Sequence, residues 1–129
     1  MRIEHVALWT ADLERCKQFY STYFDAAAGA DYVNPAKGFT SSFLSFADGA
    51  RLEIMKSTML SPVSIEAGAQ RMGLTHMAIA VGSEQRVDEL TRRLSDDGFR
   101  VVDGPRRTGD GYYESVVLDP DGNRIEITA

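Results

Sequence analysis

The sequence predicts an α+β fold built from one strand–helix–three-strand module written twice. Three observations carry that reading. The heptapeptide Asp48-Gly49-Ala50-Arg51-Leu52-Glu53-Ile54 returns as Asp121-Gly122-Asn123-Arg124-Ile125-Glu126-Ile127, identical at five of seven positions, at an offset of 73. Ile3-Glu4-His5-Val6-Ala7 returns as Leu74-Thr75-His76-Met77-Ala78 at an offset of 71. The second offset also carries Cys16, Phe19 and Tyr23 onto Val87, Leu90 and Leu94, so three segments recur in one order. Self-similarity at a fixed spacing is the signature of a duplicated unit. A two-residue difference in a mid-module loop reconciles the offsets. The copies are residues 1–57 and 73–129, joined by a connector at 58–72 that carries Pro62, Gly68 and small residues. Each copy is too small to bury a sheet face alone, so both are expected to fold as one domain over 1–129.

The elements follow in order. Residues 3–9 alternate Ile3, His5, Ala7 and Trp9 against Glu4, Val6 and Leu8, a strand pattern. Thr10 is placed to cap a helix whose first turn holds Asp12 and Glu14, where carboxylates suit the positive end of the helix dipole. Leu13, Cys16, Phe19, Tyr20 and Tyr23 then share one helical face and are expected in the core. The second copy repeats this with a strand through 75–81, Ser83 as cap and Val87, Leu90 and Leu94 as the buried stripe. Gly98 after Asp97 stops that helix. Three strand-like segments follow in each copy. The last two are turned at Asp48-Gly49 and Asp121-Gly122, a strong short-hairpin signal.

Composition narrows the function. Among 129 residues, 14 Lys and Arg stand against 19 Asp and Glu, a net charge of −5, and no basic stripe interrupts the balance. That excludes the usual electrostatic footprint of a nucleic-acid partner. No apolar run approaches the ~18–20 residues that span a bilayer, and Met1-Arg2-Ile3-Glu4-His5 lacks the layout of a signal peptide. The single cysteine, Cys16, has no intramolecular partner, which fits a reducing cytosol. A cytoplasmic protein without nucleic-acid or membrane partners is expected. Cys16 lies in the helix stripe and reads as a small core hydrophobe rather than a nucleophile.

The chemistry lies in the repeat. The chain has two histidines, and they occupy equivalent positions, each matched by a glutamate: His5 with Glu53, and His76 with Glu126. Each glutamate sits between aliphatic neighbours, so burying those on one strand face points the carboxylate to the other. If the first and last strands of a copy are close, each imidazole meets its own carboxylate. Bringing both pairs together would give two nitrogen and two oxygen donors, a set suited to Zn²⁺, Ni²⁺, Co²⁺, Fe²⁺ or Mn²⁺. Four protein ligands on an octahedral ion leave two positions for water or substrate. Arg106-Arg107 follows Gly104-Pro105 in an expected loop, with an anion contact as its sharper reading. Gly109-Asp110-Gly111 lacks the strand-to-helix context of a phosphate loop.

Ile3-Glu4-His5-Val6-Ala7, Phe19-Tyr20, Leu52-Glu53-Ile54, Thr75-His76-Met77-Ala78 and Asp119-Pro120-Asp121-Gly122-Asn123-Arg124-Ile125-Glu126 together resemble the vicinal oxygen chelate superfamily. That group contains glyoxalase I, extradiol dioxygenases and bleomycin-resistance proteins, and the resemblance spans essentially the whole chain. It implies tandem βαβββ modules forming a cup-shaped mixed sheet with helices on the outer face, commonly in a homodimer. The pattern is similar to glyoxalase I-like proteins in particular. That likeness implies one divalent metal ion held by His5, Glu53, His76 and Glu126, and a small-molecule substrate. It also implies proton transfer between adjacent carbons, with Glu126 as the shuttling base and Glu53 as the second carboxylate.

Two positions depart from that pattern. Trp9 stands where glutathione-using members often carry Arg, and Ser57 stands where an Asn commonly follows the first Glu ligand by four. Both positions help hold glutathione in those members, so the resemblance leaves open whether glutathione or another thiol is used. Trp9, on the strand face of His5, offers an apolar wall instead, and Trp9, Met55, Ser57 and Arg106 are the expected substrate-binding residues. Two other functions share the scaffold. His5, His76 and Glu126 alone would form an Fe²⁺ facial triad for ring-cleaving dioxygenase chemistry, but Glu53 would occupy a position that oxygen and substrate need. A non-catalytic protein sequestering an antibiotic or metabolite generally lacks the full ligand set.

Overall fold

The computed structural model describes residues 1–61, 69 and 72–129. Two compact units emerge, Met1–Ser64 and Ile65–Ala129. Most of the expected connector, with Pro62 and Gly68, lies outside the described residues.

The first unit runs β1 (His5–Trp9), α1 (Leu13–Phe24), β2 (Ala27–Ala28), β3 (Tyr32–Asn34), β4 (Phe39–Ser45) and β5 (Arg51–Ser57). Its sheet order is β1-β5-β4-β2, with β3 also pairing β4. β1 lies parallel to β5, while β5 and β4 are antiparallel, so the sheet is mixed. Helix α1 packs on one face. It buries Leu13, Cys16, Phe19, Tyr20 and Phe24 with Leu44, Leu52 and Ile54 of β4 and β5. Cys16 is fully enclosed there.

The second unit repeats the plan with β6 (Met77–Ala80), α2 (Glu84–Asp96), β7 (Val101–Arg107), β8 (Tyr113–Leu118) and β9 (Arg124–Thr128). Its sheet order is β6-β9-β8-β7, again with the module's first and last strands parallel. Val87, Thr91 and Leu94 of α2 pack with Ser115, Val117, Ile125 and Ile127. The α+β class and the tandem βαβββ plan are therefore those the sequence predicts.

Several local expectations give way to better-placed partners. Asp12, not Thr10, caps α1: its carboxylate accepts from the Arg15 amide at 3.1 Å. Thr10 is buried and exchanges hydrogen bonds with the Asp12 backbone instead, accepting from its amide and donating to its carbonyl. Ser83 does cap α2, accepting from the Arg86 amide. Phe24 rather than Tyr23 completes the core of α1. On α2, Thr91 is buried and Leu90 only half-buried, because the Thr91 hydroxyl meets Val87 O and Ser115 Oγ, both at 2.6 Å.

The strand expected after α1 breaks into β2 and β3. Its Ala26–Ala30 run offers little side chain to pack on a pleated surface. The Asp-Gly steps do turn the last two strands of each unit, with Gly49 and Gly122 at φ +83° and +85°. The connections, 46–50 and 119–123, are longer than two-residue hairpins. In the second, the Asp119 carboxylate organises the extra residues, accepting from the amides of Asp121 and Asn123 and from Asn123 Nδ2.

Candidate metal centre

Parallel pairing of first and last strands sets the site. In the first unit His5 lies opposite Arg51, Ala7 opposite Glu53 and Trp9 opposite Met55. Residues paired across strands share a face, so His5 and Glu53 are diagonal neighbours on the face away from α1. The His5 Nε2 lies 3.8 Å from Glu53 Oε2. In the second unit Met77 lies opposite Ile125 and Ala78 opposite Glu126, with His76 one residue before the strand. The His76 Nε2 lies 3.3 Å from Glu126 Oε2. The two pairs also match in exposure: 40% and 42% for the imidazoles, 17% and 18% for the carboxylates. Each unit thus presents one nitrogen and one oxygen donor from the same strands, at the same diagonal.

The donor chemistry of each pair, one imidazole nitrogen and one carboxylate oxygen, is of the kind that suits a borderline divalent cation. Among the described residues, no group of three or more His, Cys, Asp or Glu side chains is gathered as a complete metal site. A pair alone is short of the three or four protein ligands that hold such an ion.

The surroundings of the two pairs differ. Glu4, which sequence reasoning leaves on the opposite face, lies just before β1 begins, where strand alternation does not bind it. Its Oε2 is 2.5 Å from His5 Nδ1, and its Oε1 accepts from Arg51 Nε at 2.9 Å. These contacts, His5 first and then Arg51, hold the Glu4 carboxyl below its usual range. The second copy has Thr75 at this place.

The second unit has Glu114 instead, another residue the sequence reading passes over. It sits on β8 among Val116, Val117 and Leu118, and a carboxylate inside that buried run was the available signal. Burial pushes the Glu114 carboxyl up, as do the charge and hydrogen bond of Glu126 beside it, while Arg106 pulls the other way.

The expected substrate-binding residues divide between the units. Trp9, Met55 and Ser57 share the face of His5 and Glu53. The Trp9 ring meets Phe39 edge-on at 6.1 Å, and Phe39 lies opposite Ser57. Arg106 lies in strand β7, not in a loop, because Arg106 and Arg107 pair with Glu114 and Tyr113 of β8. Its guanidinium is held by Asp103 at 2.5 Å and faces Glu114 at 3.7 Å. Much of the positive charge that would meet an anion is thereby offset within the unit.

A mixed sheet repeated twice, with one His–Glu pair on the free face of each copy, defines a class of protein. The chain belongs to the Glyoxalase/Bleomycin resistance protein/Dioxygenase superfamily, whose family model matches residues 2–127. It is 29% identical over 132 residues to the uncharacterised Bacillus subtilis protein YqjT, covering 98% of each chain. It is similar to the structure of a possible glyoxalase from Bacillus cereus at 26% identity and a TM-score of 0.71, covering 100% of this chain and 99% of that one. Zea mays glyoxalase I shares the fold at a TM-score of 0.78 and 22% identity. The match covers 98% of this chain and 44% of the maize protein, so the chain spans less than half of that enzyme. No helix among the described residues is long and apolar enough to cross a membrane.

Proposed function

We propose that this protein is a metal-dependent lyase or isomerase of the glyoxalase I type. The observation that supports this most is the recurrence of one His–Glu pair at the same diagonal of both sheets, His5 with Glu53 and His76 with Glu126. Structural repetition alone would preserve the strands. It gives no reason for an imidazole and a carboxylate to recur together on a free face.

In this reading the four side chains hold one divalent cation, drawn from Zn, Ni, Co, Fe or Mn. The two pairs come either from one chain or from two chains of a homodimer. When bound, the ion supplies Lewis acidity toward two neighbouring oxygens of the substrate, stabilising the negative charge that develops as a C–H bond is broken. Glu126 takes that proton and returns it to the adjacent carbon, so the substrate is isomerised with no net loss of protons or electrons. Glu53 is the second carboxylate of the proposed set. Trp9, Met55, Ser57 and Arg106 are the proposed substrate-binding residues.

Metal analysis of the purified protein tests the ligand set, with one divalent ion expected for each set of four. Glu126→Gln is then expected to abolish turnover of thiol hemithioacetals while leaving substantial substrate binding. Tight binding of small molecules with neither metal nor proton exchange would point to a sequestering protein instead.

A further inference from the structure

We infer that the substrate carries an uncharged aromatic body, seated on the first unit's free face one pleat from the His5–Glu53 pair. This rests on the preceding functional reading and names its substrate class. Cross-strand register defines the seat. Trp9 lies opposite Met55, Met55 opposite Ser41, and Ser41 opposite Tyr32, so one row runs across β1, β5, β4 and β3. Large rings stand at both ends, with Trp9 and Tyr32 47% and 58% exposed, while the small, buried Ser41 lies between. Phe39 closes one side, meeting Trp9 at 6.1 Å and Tyr32 at 6.2 Å.

On the other side, the neighbouring row carries Ala7, Glu53 and Phe43. Positions two apart on a strand are separated by about 7 Å. From oxygens held beside Glu53, one such step along β5 leads over Met55 and against Trp9, and the opposite step leads to Arg51, already bound to Glu4. The span is roughly that of one six-membered ring.

Charge selects against an anionic carrier. The face bears Glu53, with Glu4 at its edge. Its base, Arg51, is bound to Glu4 and lies 4.1 Å over the Phe43 ring. A thiol carrying two carboxylates would meet carboxylate and aromatic edges here. An uncharged ring meets edge-to-face partners and excludes water from apolar surface.

Trp9 is the chain's one tryptophan, so its emission reports on this seat directly. Benzohydroxamate and acetohydroxamate share a head with two adjacent oxygens and differ only in the ring. Their affinities are measured calorimetrically on the full chain, with and without saturating Zn²⁺, alongside Trp9 fluorescence. Benzohydroxamate is expected to bind roughly tenfold more tightly and to change the Trp9 emission, whereas glutathione leaves the emission unchanged. Trp9→Ala brings the two probes to within about twofold of each other, and Trp9→Phe restores most of the difference. Equal affinities in the parent protein, a preference that survives Trp9→Ala, or no binding of benzohydroxamate in either state overturns the inference. A preference for the ring with no response to Zn²⁺ overturns the metal-centre reading and leaves this one standing. Equal affinities that both rise with Zn²⁺ do the reverse.

Discussion

The Nδ1 of His5 lies 2.5 Å from a carboxylate oxygen of Glu4, the residue directly before it in the chain. That contact fixes the ring so that Nε2 faces Glu53, and Arg51 holds Glu4 in turn. A carboxylate behind a ligating imidazole sets both its orientation and its tautomer, and removing such a partner typically costs 10–100-fold in metal affinity. Glu4→Gln is expected to weaken Zn²⁺ binding by about that factor in a competitive-chelator titration. The thermal midpoint of the metal-free protein should barely move, because the Glu4–Arg51 pair is exposed. Unchanged affinity would remove Glu4 from the site.

In the core of the second unit, the Thr91 hydroxyl bridges Val87 O and Ser115 Oγ. Thr91→Val leaves the buried Ser115 hydroxyl without that partner, at an expected cost of about 1–3 kcal/mol. Adding Ser115→Ala removes the stranded group. The double variant should therefore lose less stability than the two single losses combined, as read from denaturant midpoints.

Gly104 lets β7 lie close against β8. A Cβ there would fall 2.5 Å from Glu114 O and 2.9 Å from Ser115 Cα, at a φ of +75°. Gly104→Ala is expected to cost about 2 kcal/mol or more by forcing β7 away from β8. Faster amide exchange along Val101–Arg107 and Tyr113–Leu118 would locate the damage.

The Lys17–Asp31 bridge predicts an acid-limb effect. Hydrogen bonding from the Lys17 ammonium, at 2.8 Å, lowers the Asp31 carboxyl below its ordinary 3.8. A carboxyl lowered on folding adds stability that is fully present above its unfolded value and is lost as pH falls through the folded one. Asp31→Asn should therefore be less stable than the parent near neutral pH and converge with it near pH 2. A constant gap across an acid titration of the thermal midpoint would contradict the assignment.

The repeat made the fold legible. Heptapeptides around Glu53 and Glu126 located the last strand of each copy, and His5 and His76 located the first. What the sequence concealed is what side chains decide among near-equal alternatives. Thr10 and Asp12 are both good caps, and the carboxylate prevailed because it reaches the Arg15 amide while Thr10 turns inward. Arg106 read as a loop residue after Gly104-Pro105, yet β8 supplied it with a strand partner through an irregular register. Glu114 has no counterpart signal in the repeat, and only the register of β8 on β9, with Val116 opposite Glu126, brings it beside that carboxylate. The aromatic row was invisible for a different reason: Trp9, Met55, Ser41 and Tyr32 come from four strands, and only the register aligns them.

Each His–Glu pair joins the two ends of its module, across 48 residues in the first copy and 50 in the second. Contacts of such separation form only after the intervening chain has closed, so they belong to the late part of folding. The imidazole meets its carboxylate only when β1 has docked on β5, or β6 on β9. A nascent, truncated or misfolded chain therefore displays scattered donors and no pair. On the proposed metal-binding reading, a cation added during refolding would draw the population toward molecules in which both strands have docked.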